Sequence, residues 1–219
     1  MTERQLELGS GPCFAVFKYL CHSATDKKAF IRIYFQIPIP GTEYQPPELR
    51  RQQGAPPREH LELQALKDLR ERHCDMVPTL LAYKEGNQCS DGLVPDGYIT
   101  HLVWDMVPGK PLDTGQFWRP ELALLREAVR TKFRDVWEEL KRHGWQPGLP
   151  LLQKIIYEST GDMCMIRNML TSFRHIAGFR GPDRFDPGEK FSDMTFVLWR
   201  LTRPPRKSGW EKDPTKWAW

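Results

Sequence analysis

The sequence has no long apolar run, no closely spaced cysteine pair and, outside its last twenty residues, no excess of charge of either sign. Its apolar stretches fall short of the roughly 18 to 20 residues that cross a bilayer, so no membrane span is expected. The first residues carry acids and no apolar stretch before a small-residue cleavage site, so no secretory leader is expected either. Cys13, Cys21, Cys74, Cys89 and Cys164 are odd in number and far apart, which excludes a C-x-x-C zinc or redox site and suits reduced thiols. The expected location is therefore intracellular, cytoplasmic or nuclear. The chain holds 32 Lys and Arg against 28 Asp and Glu. Removing the six cations and two acids of residues 200–219 leaves 26 of each sign, a balanced body with a basic tail. No nucleic-acid partner is expected from such a balance.

What is present is enough for a fold. Apolar residues make up 40% of the 219, ordinary for a globular chain. Residues 13–20 and 29–37 are rich in aromatic and β-branched side chains and flank a polar turn, which predicts an antiparallel pair with Phe30, Arg32 and Tyr34 on one face. Six prolines between Pro38 and Pro57 predict an extended loop without helix. Residues 58–72 have the spacing of an amphipathic helix, 77–84 and 98–107 that of two further strands, and 121–142 a 3.6-residue apolar period behind Pro120. A loop over 143–153, a hairpin over 154–166 and a helix over 192–201 with Ser192 as N-cap complete the reading. Residues 167–190 give no clear pattern, and the tryptophan-rich tail shows no period. Those tryptophans, Trp210, Trp217 and Trp219, either face a partner or fold back on the body.

The order of these segments resembles the protein-kinase-like superfamily, closest to its fungal kinase-like and aminoglycoside-phosphotransferase-like branch. The resemblance implies an α+β, two-lobed protein-kinase-like fold. Residues 1–107 would form an antiparallel β-sheet N-lobe that includes the loop 38–57, and 108–203 a truncated α-helical C-lobe, with 204–219 as a basic tail. Gly9, Gly11 and Val16 match positions of G-x-G-x-x-G-x-V, although Phe14 replaces the third glycine and Pro12 interrupts the loop; a plain β-turn is the alternative. Arg32 falls where the strand lysine is expected, and Glu62 where the helix glutamate that pairs with it is expected. A bidentate pair or a surface ion pair would follow. Ile99–Leu112 resembles the strand and hinge, so the implied nucleotide-binding set is Gly9, Gly11, Val16, Arg32, Glu62, Asp105 and Val107.

The catalytic positions are degenerate under the same resemblance. His143-Gly144-Trp145 stands in place of H-R-D, no acid occurs between His143 and Tyr157, and Lys154 occupies the position of the metal-holding asparagine. Ala177-Gly178-Phe179 stands where D-F-G is expected, behind an extra stretch from Arg167 to His175. His143 reads as a structural histidine, since nothing close in sequence orients it. The expectation is a pseudokinase-like binding or regulatory module with a protein partner, no metal and no cofactor. The alternative is a phosphotransferase using ATP and magnesium through relocated acids, with Asp183, Asp186 and Glu189 as candidates.

Overall fold

The computed structural model describes residues 12–23, 26–57, 60–148, 150–157, 179–180 (backbone), 188, 190–206 and 208–219. The chain is α+β and divides into two compact units. The first comprises residues up to Leu63 together with Thr79–Met106, and the second Gln64–Pro78 together with Val107–Trp219.

The first unit is built on one four-stranded antiparallel sheet. Strand β1 (Phe14–His22) pairs with β2 (Lys28–Gln36), β2 with β4 (Tyr98–Asp105), and β4 with β3 (Leu80–Asn87), giving the order β1-β2-β4-β3. The register sets Val16 opposite Tyr34 and Tyr34 opposite Thr100, and it sets Lys18 opposite Arg32 and Arg32 opposite Leu102. Because side chains alternate along a strand, these residues share one face with Phe30, Gln36, Tyr98 and Trp104. Tyr98, Thr100, Leu102 and Trp104 are all buried there. The other face carries Phe17, Tyr19, Ile31, Ile33, Phe35, Ile99 and Val103.

The proline-rich stretch departs from expectation. It contains a one-turn helix, α1 (Pro47–Arg51), with proline in its first turn. Proline lacks an N–H that the first turn does not use, so Pro47 starts a helix here instead of preventing one. Gln36, almost fully buried, ties this stretch to the sheet. Its Nε2 donates to Gln53 O at 2.5 Å, and its Oε1 accepts from Ala55 N at 2.9 Å. Gln88 Nε2 donates to the Gln36 carbonyl at 2.8 Å. The space is closed by Gly97, where a Cβ would lie 2.8 Å from Gln36 Oε1.

Helix α2 (Leu61–Glu71) falls within the expected 58–72 and buries Leu63, Ala65, Leu66 and Leu69. In the second unit the dominant element is α4 (Ala123–Arg142), entered through a 3-10 turn at Pro120–Leu122 and preceded by a short unexpected helix, α3 (Thr114–Phe117). Its buried face holds the expected Leu125, Val129, Phe133, Val136, Trp137 and Leu140, and also Arg126 and Arg130. Both arginines serve backbone carbonyls: Arg126 donates to Phe117 O and Arg119 O at 3.2 and 2.8 Å, and Arg130 to Leu201 O at 3.2 Å.

Four two-residue strands also form, one in the loop expected over 143–153 and one at the start of the hairpin expected over 154–166. β5 (Lys110–Pro111) pairs with β7 (Ile156–Tyr157), and β6 (Gln146–Pro147) with β8 (Phe179–Arg180). The start of the expected hairpin thus pairs upstream with β5; its remainder, 158–166, lies outside the described residues, as do 167–178. Helix α5 (Asp193–Leu198) is shorter than expected because the chain turns at Arg200, whose φ is +58°. Ser192 holds the N-cap position, yet its hydroxyl makes no capping bond.

The tail folds back within the second unit. Arg203 and Ala218 exchange two backbone hydrogen bonds at 3.0 and 2.8 Å. Trp217 is buried and donates Nε1–H to Trp210 O at 2.9 Å. The Trp219 ring lies edge-on to Phe196, with the Arg130 guanidinium 5.5 Å from its centroid.

Replacing Gln36 by Leu leaves the half-buried Ala55 N–H and Gln53 C=O without their partner. Chemical denaturation should show a loss of about 2 kcal/mol, and limited proteolysis should show faster cutting within residues 40–57.

Candidate functional site

The first unit gathers a cluster of charged and aromatic groups on the inner face of its sheet. Arg32 and Tyr34 lie two residues apart on β2, so both side chains project from the same face toward the first turn of α2. Glu62 sits in that turn. Arg32 Nη1 donates to both Glu62 oxygens at 2.6 Å, and the Tyr34 hydroxyl donates to Glu62 Oε2 at 2.5 Å. The side chains of Arg32 and Glu62 are 14% and 7% exposed. The pair expected between these residues is therefore formed and buried, which removes the surface alternative. It differs from the expected two-nitrogen fork, since one nitrogen serves both oxygens while Arg32 Nε is buried with no partner among the described residues.

Aromatic rings fix the cluster from around it. The Arg32 guanidinium lies 5.2 Å from the Trp104 ring centroid. Tyr34 stacks on His60 at 3.8 Å and 20°, and His60 meets Phe14 edge-on at 5.6 Å. Lys18, the cross-strand neighbour of Arg32, places Nζ 4.0 Å from the Phe30 ring centroid.

These surroundings shift three groups. Burial opposes the Arg32 charge, but Glu62 and Tyr34 outweigh it and raise its pKa. Burial, then the neighbouring Glu62 carboxylate, raises that of Tyr34 well above the phenol range. Burial and the Arg32 cation lower Lys18 to about 8, against the pull of Glu62. Arg32 and Tyr34 thus keep their protons at any physiological pH, and the cluster has no group among these three poised as an acid or base at neutrality except Lys18.

Other expected positions are placed as follows. Gly9, Gly11, Ala177 and Gly178 lie outside the described residues, as do Asp183, Asp186 and Glu189. Val16 is half-buried on β1. Asp105 ends β4 and is used by the backbone, accepting from Thr79 N at 2.7 Å. Val107 is buried in the second unit.

Within the second unit, His143 follows α4, and its Nε2 lies 3.1 Å from Glu139 Oε1. Sequence reasoning missed this partner, although a spacing of four on the last helical turn is the signal that finds it. Arg142 pairs with the same glutamate. Gly144 then takes φ +79°, a left-handed turn that favours glycine. It delivers Trp145 into a buried place where Nε1–H donates to Asp68 Oδ2 at 2.6 Å. Asp68 also accepts from Arg72 at 2.8 Å. The pairing of Trp145 with Asp68, 77 residues apart, carries no local signal. Lys154 closes a 3-10 turn over Leu152–Lys154 and is half-buried. Phe179 contributes its backbone to the β6–β8 pair, opposite Pro147.

Among the described residues no three His, Cys, Asp or Glu side chains gather in a way that could hold a metal ion. Among them, too, no helix is long and apolar enough to cross a membrane. The chain matches no protein-family model, no curated protein and no solved structure.

Two predictions follow from the cluster's energetics. Arg32→Met or Glu62→Leu alone should cost about 3 to 5 kcal/mol in urea denaturation, because each strands a buried charge. The double variant should lose less than the summed singles, by about 2 kcal/mol; simple additivity would show that the two charges do not act jointly. For Lys18 the unfolded chain holds its proton up to about 10.5 while the folded one releases it near 8. The unfolded state therefore binds more protons between those values, and wild-type stability should rise with pH across that window relative to Lys18→Met. Parallel urea titrations at both ends of the window check this.

Proposed function

We propose that the chain is a degenerate protein-kinase-like protein of the fungal kinase-like and aminoglycoside-phosphotransferase-like branch, two-lobed in plan, that binds a protein partner and does not transfer phosphate. The observation that carries this reading is the Arg32–Glu62–Tyr34 cluster, which stands where the resemblance puts the strand cation and the helix glutamate. A cation so occupied holds a helix to a sheet. Its charge is matched by the Glu62 carboxylate, which takes both Nη1 bonds, and the Trp104 ring lies against the guanidinium.

A second feature supports the same plan. In a phosphotransferase the catalytic-loop and D-F-G segments share metal ions and must lie side by side. Here the corresponding stretches pair as β6 and β8, with Gln146 opposite Arg180 and Pro147 opposite Phe179. The side chains nearby do not suit the chemistry. Trp145 is a buried indole donating to Asp68, and Lys154 brings a positive charge that repels magnesium. His143 is engaged by Glu139 on the last turn of α4. The reading carries no cofactor, and places the protein inside the cell, in cytoplasm or nucleus, without nucleic acid or membrane as partner.

The test is a thermal-shift titration with ATP in the absence and presence of magnesium or manganese. A ligand at a hundred times its Kd adds about 2.7 kcal/mol, roughly 5 to 10 °C for a chain of this size. The expected response is none, or one indifferent to metal. A metal-dependent rise of that order would overturn the non-catalytic reading and favour a phosphotransferase with relocated acids.

A further inference from the structure

The tail that closes the second unit treats its tryptophans and its arginines differently. Trp217 is buried, and Trp219 is held against Phe196 with its Nε1–H donating to Pro214 O at 3.2 Å. Arg200, Arg203 and Arg206 stay exposed, and none of the three meets a carboxylate among the described residues. Of the two acids in residues 200–219, Asp213 is taken by Lys216 at 2.7 Å. Since the other 199 residues carry equal numbers of each sign, this short stretch accounts for the whole formal charge of +4.

One of these arginines is fixed in place. Arg203 N–H donates to Ala218 O at 3.0 Å and its carbonyl accepts from Ala218 N at 2.8 Å, while its guanidinium lies over the Trp118 ring, 4.2 Å from the centroid. The buried Arg126 brings a second guanidinium to 5.5 Å from a centroid of the same side chain. A ring attracts a cation through its face but cancels none of its charge. The N–H donors lie in the guanidinium plane, so Arg203 over the indole still offers the fork that matches a carboxylate. Arg200 and Arg206 lie three residues to either side, within about 11 Å along the chain. Leu198, 61% exposed, ends α5, and Trp219, 38% exposed, follows the Ala218 that pairs with Arg203.

We propose that this face of the second unit docks an acidic segment of a partner protein, with one carboxylate forked on Arg203, further acids toward Arg200 and Arg206, and apolar side chains against Leu198 and Trp219. Charge complementarity supplies attraction and register, and the apolar contacts supply the area from which water is removed. The same reasoning decides against other occupants. A second copy presenting this face would set cation against cation. A phosphate backbone would use the arginines and leave Leu198 without a contact. A bilayer calls for aromatic side chains that project beyond the cations, whereas Trp217 is buried and the Trp219 ring is held on Phe196.

This inference deepens the binding-module reading by giving the chemistry of its partner, and rests on that reading for the expectation of a protein. The probes are three fluorescein-labelled peptides titrated by anisotropy into the full chain: Ser-Glu-Leu-Glu-Glu-Leu-Asp-Ser, its amide counterpart Ser-Gln-Leu-Gln-Gln-Leu-Asn-Ser, and the acidic sequence with serine for both leucines. The acidic peptide should bind about tenfold more tightly than the amide one and about fivefold more tightly than the one without leucine. Arg203→Gln should weaken it about tenfold, whereas Lys84→Gln, which removes the same charge from an exposed site on β3, should leave it within about twofold. The comparison of peptides on the wild-type chain stands even if Arg203→Gln disturbs the tail. Equal affinity for the acidic peptide and either of the others, no binding by any, or equal losses in Arg203→Gln and Lys84→Gln would each overturn the proposal. So would tighter, Arg203-dependent binding to phosphatidylserine vesicles or to an oligodeoxythymidine, which would reassign the face to a membrane or a nucleic acid. A metal-dependent ATP response alongside an intact peptide preference would sink the non-catalytic reading alone.

Discussion

A carboxylate taken out of water must be compensated where it stands, and Glu62 is the group on which the inner face of the sheet depends. Its two oxygens receive the Arg32 guanidinium and the Tyr34 hydroxyl, so three side chains from β2 and α2 are fixed by one requirement. The rest of the face is arranged around that need. Trp104 lies against the guanidinium, His60 stacks on the Tyr34 ring, and Phe14 closes the edge of His60. Such a cluster is a poor source of reactivity and a good source of register. A slip of β2 by one residue would turn Arg32 and Tyr34 away from Glu62 and leave its charge buried alone.

The second unit shows the same preference for structural use of polar groups. Arg126 and Arg130 lie on the buried stripe of α4, where they satisfy carbonyls of the preceding turn and of Leu201. Asp68 accepts from both Trp145 and Arg72. At the positions where the kinase resemblance asks for groups exposed to substrate and metal, the chain has groups that hold its own backbone and helix ends together. That contrast underlies the reading of the protein as a binding module.

Much of the sheet was legible because strands announce themselves by alternation. Residues 29–37 place Phe30, Arg32 and Tyr34 on one face from sequence alone, and that face is the one that meets Glu62. The long helix was legible for a similar reason, its apolar period being close to 3.6. Its buried arginines were not, since a charged residue on an apolar stripe is recognisable only when the carbonyls it serves are known. The turn at Pro47–Arg51 was hidden by a rule applied too broadly, because proline obstructs the interior of a helix and suits its first turn. Partners distant in sequence, such as Asp68 for Trp145, leave no trace in spacing, whereas Glu139 for His143 lies one helical turn away and was missed although its spacing carries the signal. The tail was harder still. Trp217 and the Arg203–Ala218 bridge have no periodic pattern, and only the packing decides that they fold inward.

The strand order also governs how the sheet can assemble. Pairings β1–β2 and β3–β4 are hairpins between chain neighbours, while β2–β4 joins Phe35 to Ile99. Closing a flexible loop of about sixty residues costs roughly 3.7 kcal/mol in chain entropy, against about 1.5 for a short hairpin turn. The central ladder is therefore the late and slow step, and two preformed hairpins with an apolar face each are what must find one another. The buried amides at the far end of β2 bear on that search. Gln36 holds Gln53 and Ala55 and receives Gln88, so a knot of side-chain bonds spans the loop at two intermediate points. Each divides one long closure into shorter ones, which gives a single glutamine a part in the rate of folding as well as in the stability of what is folded.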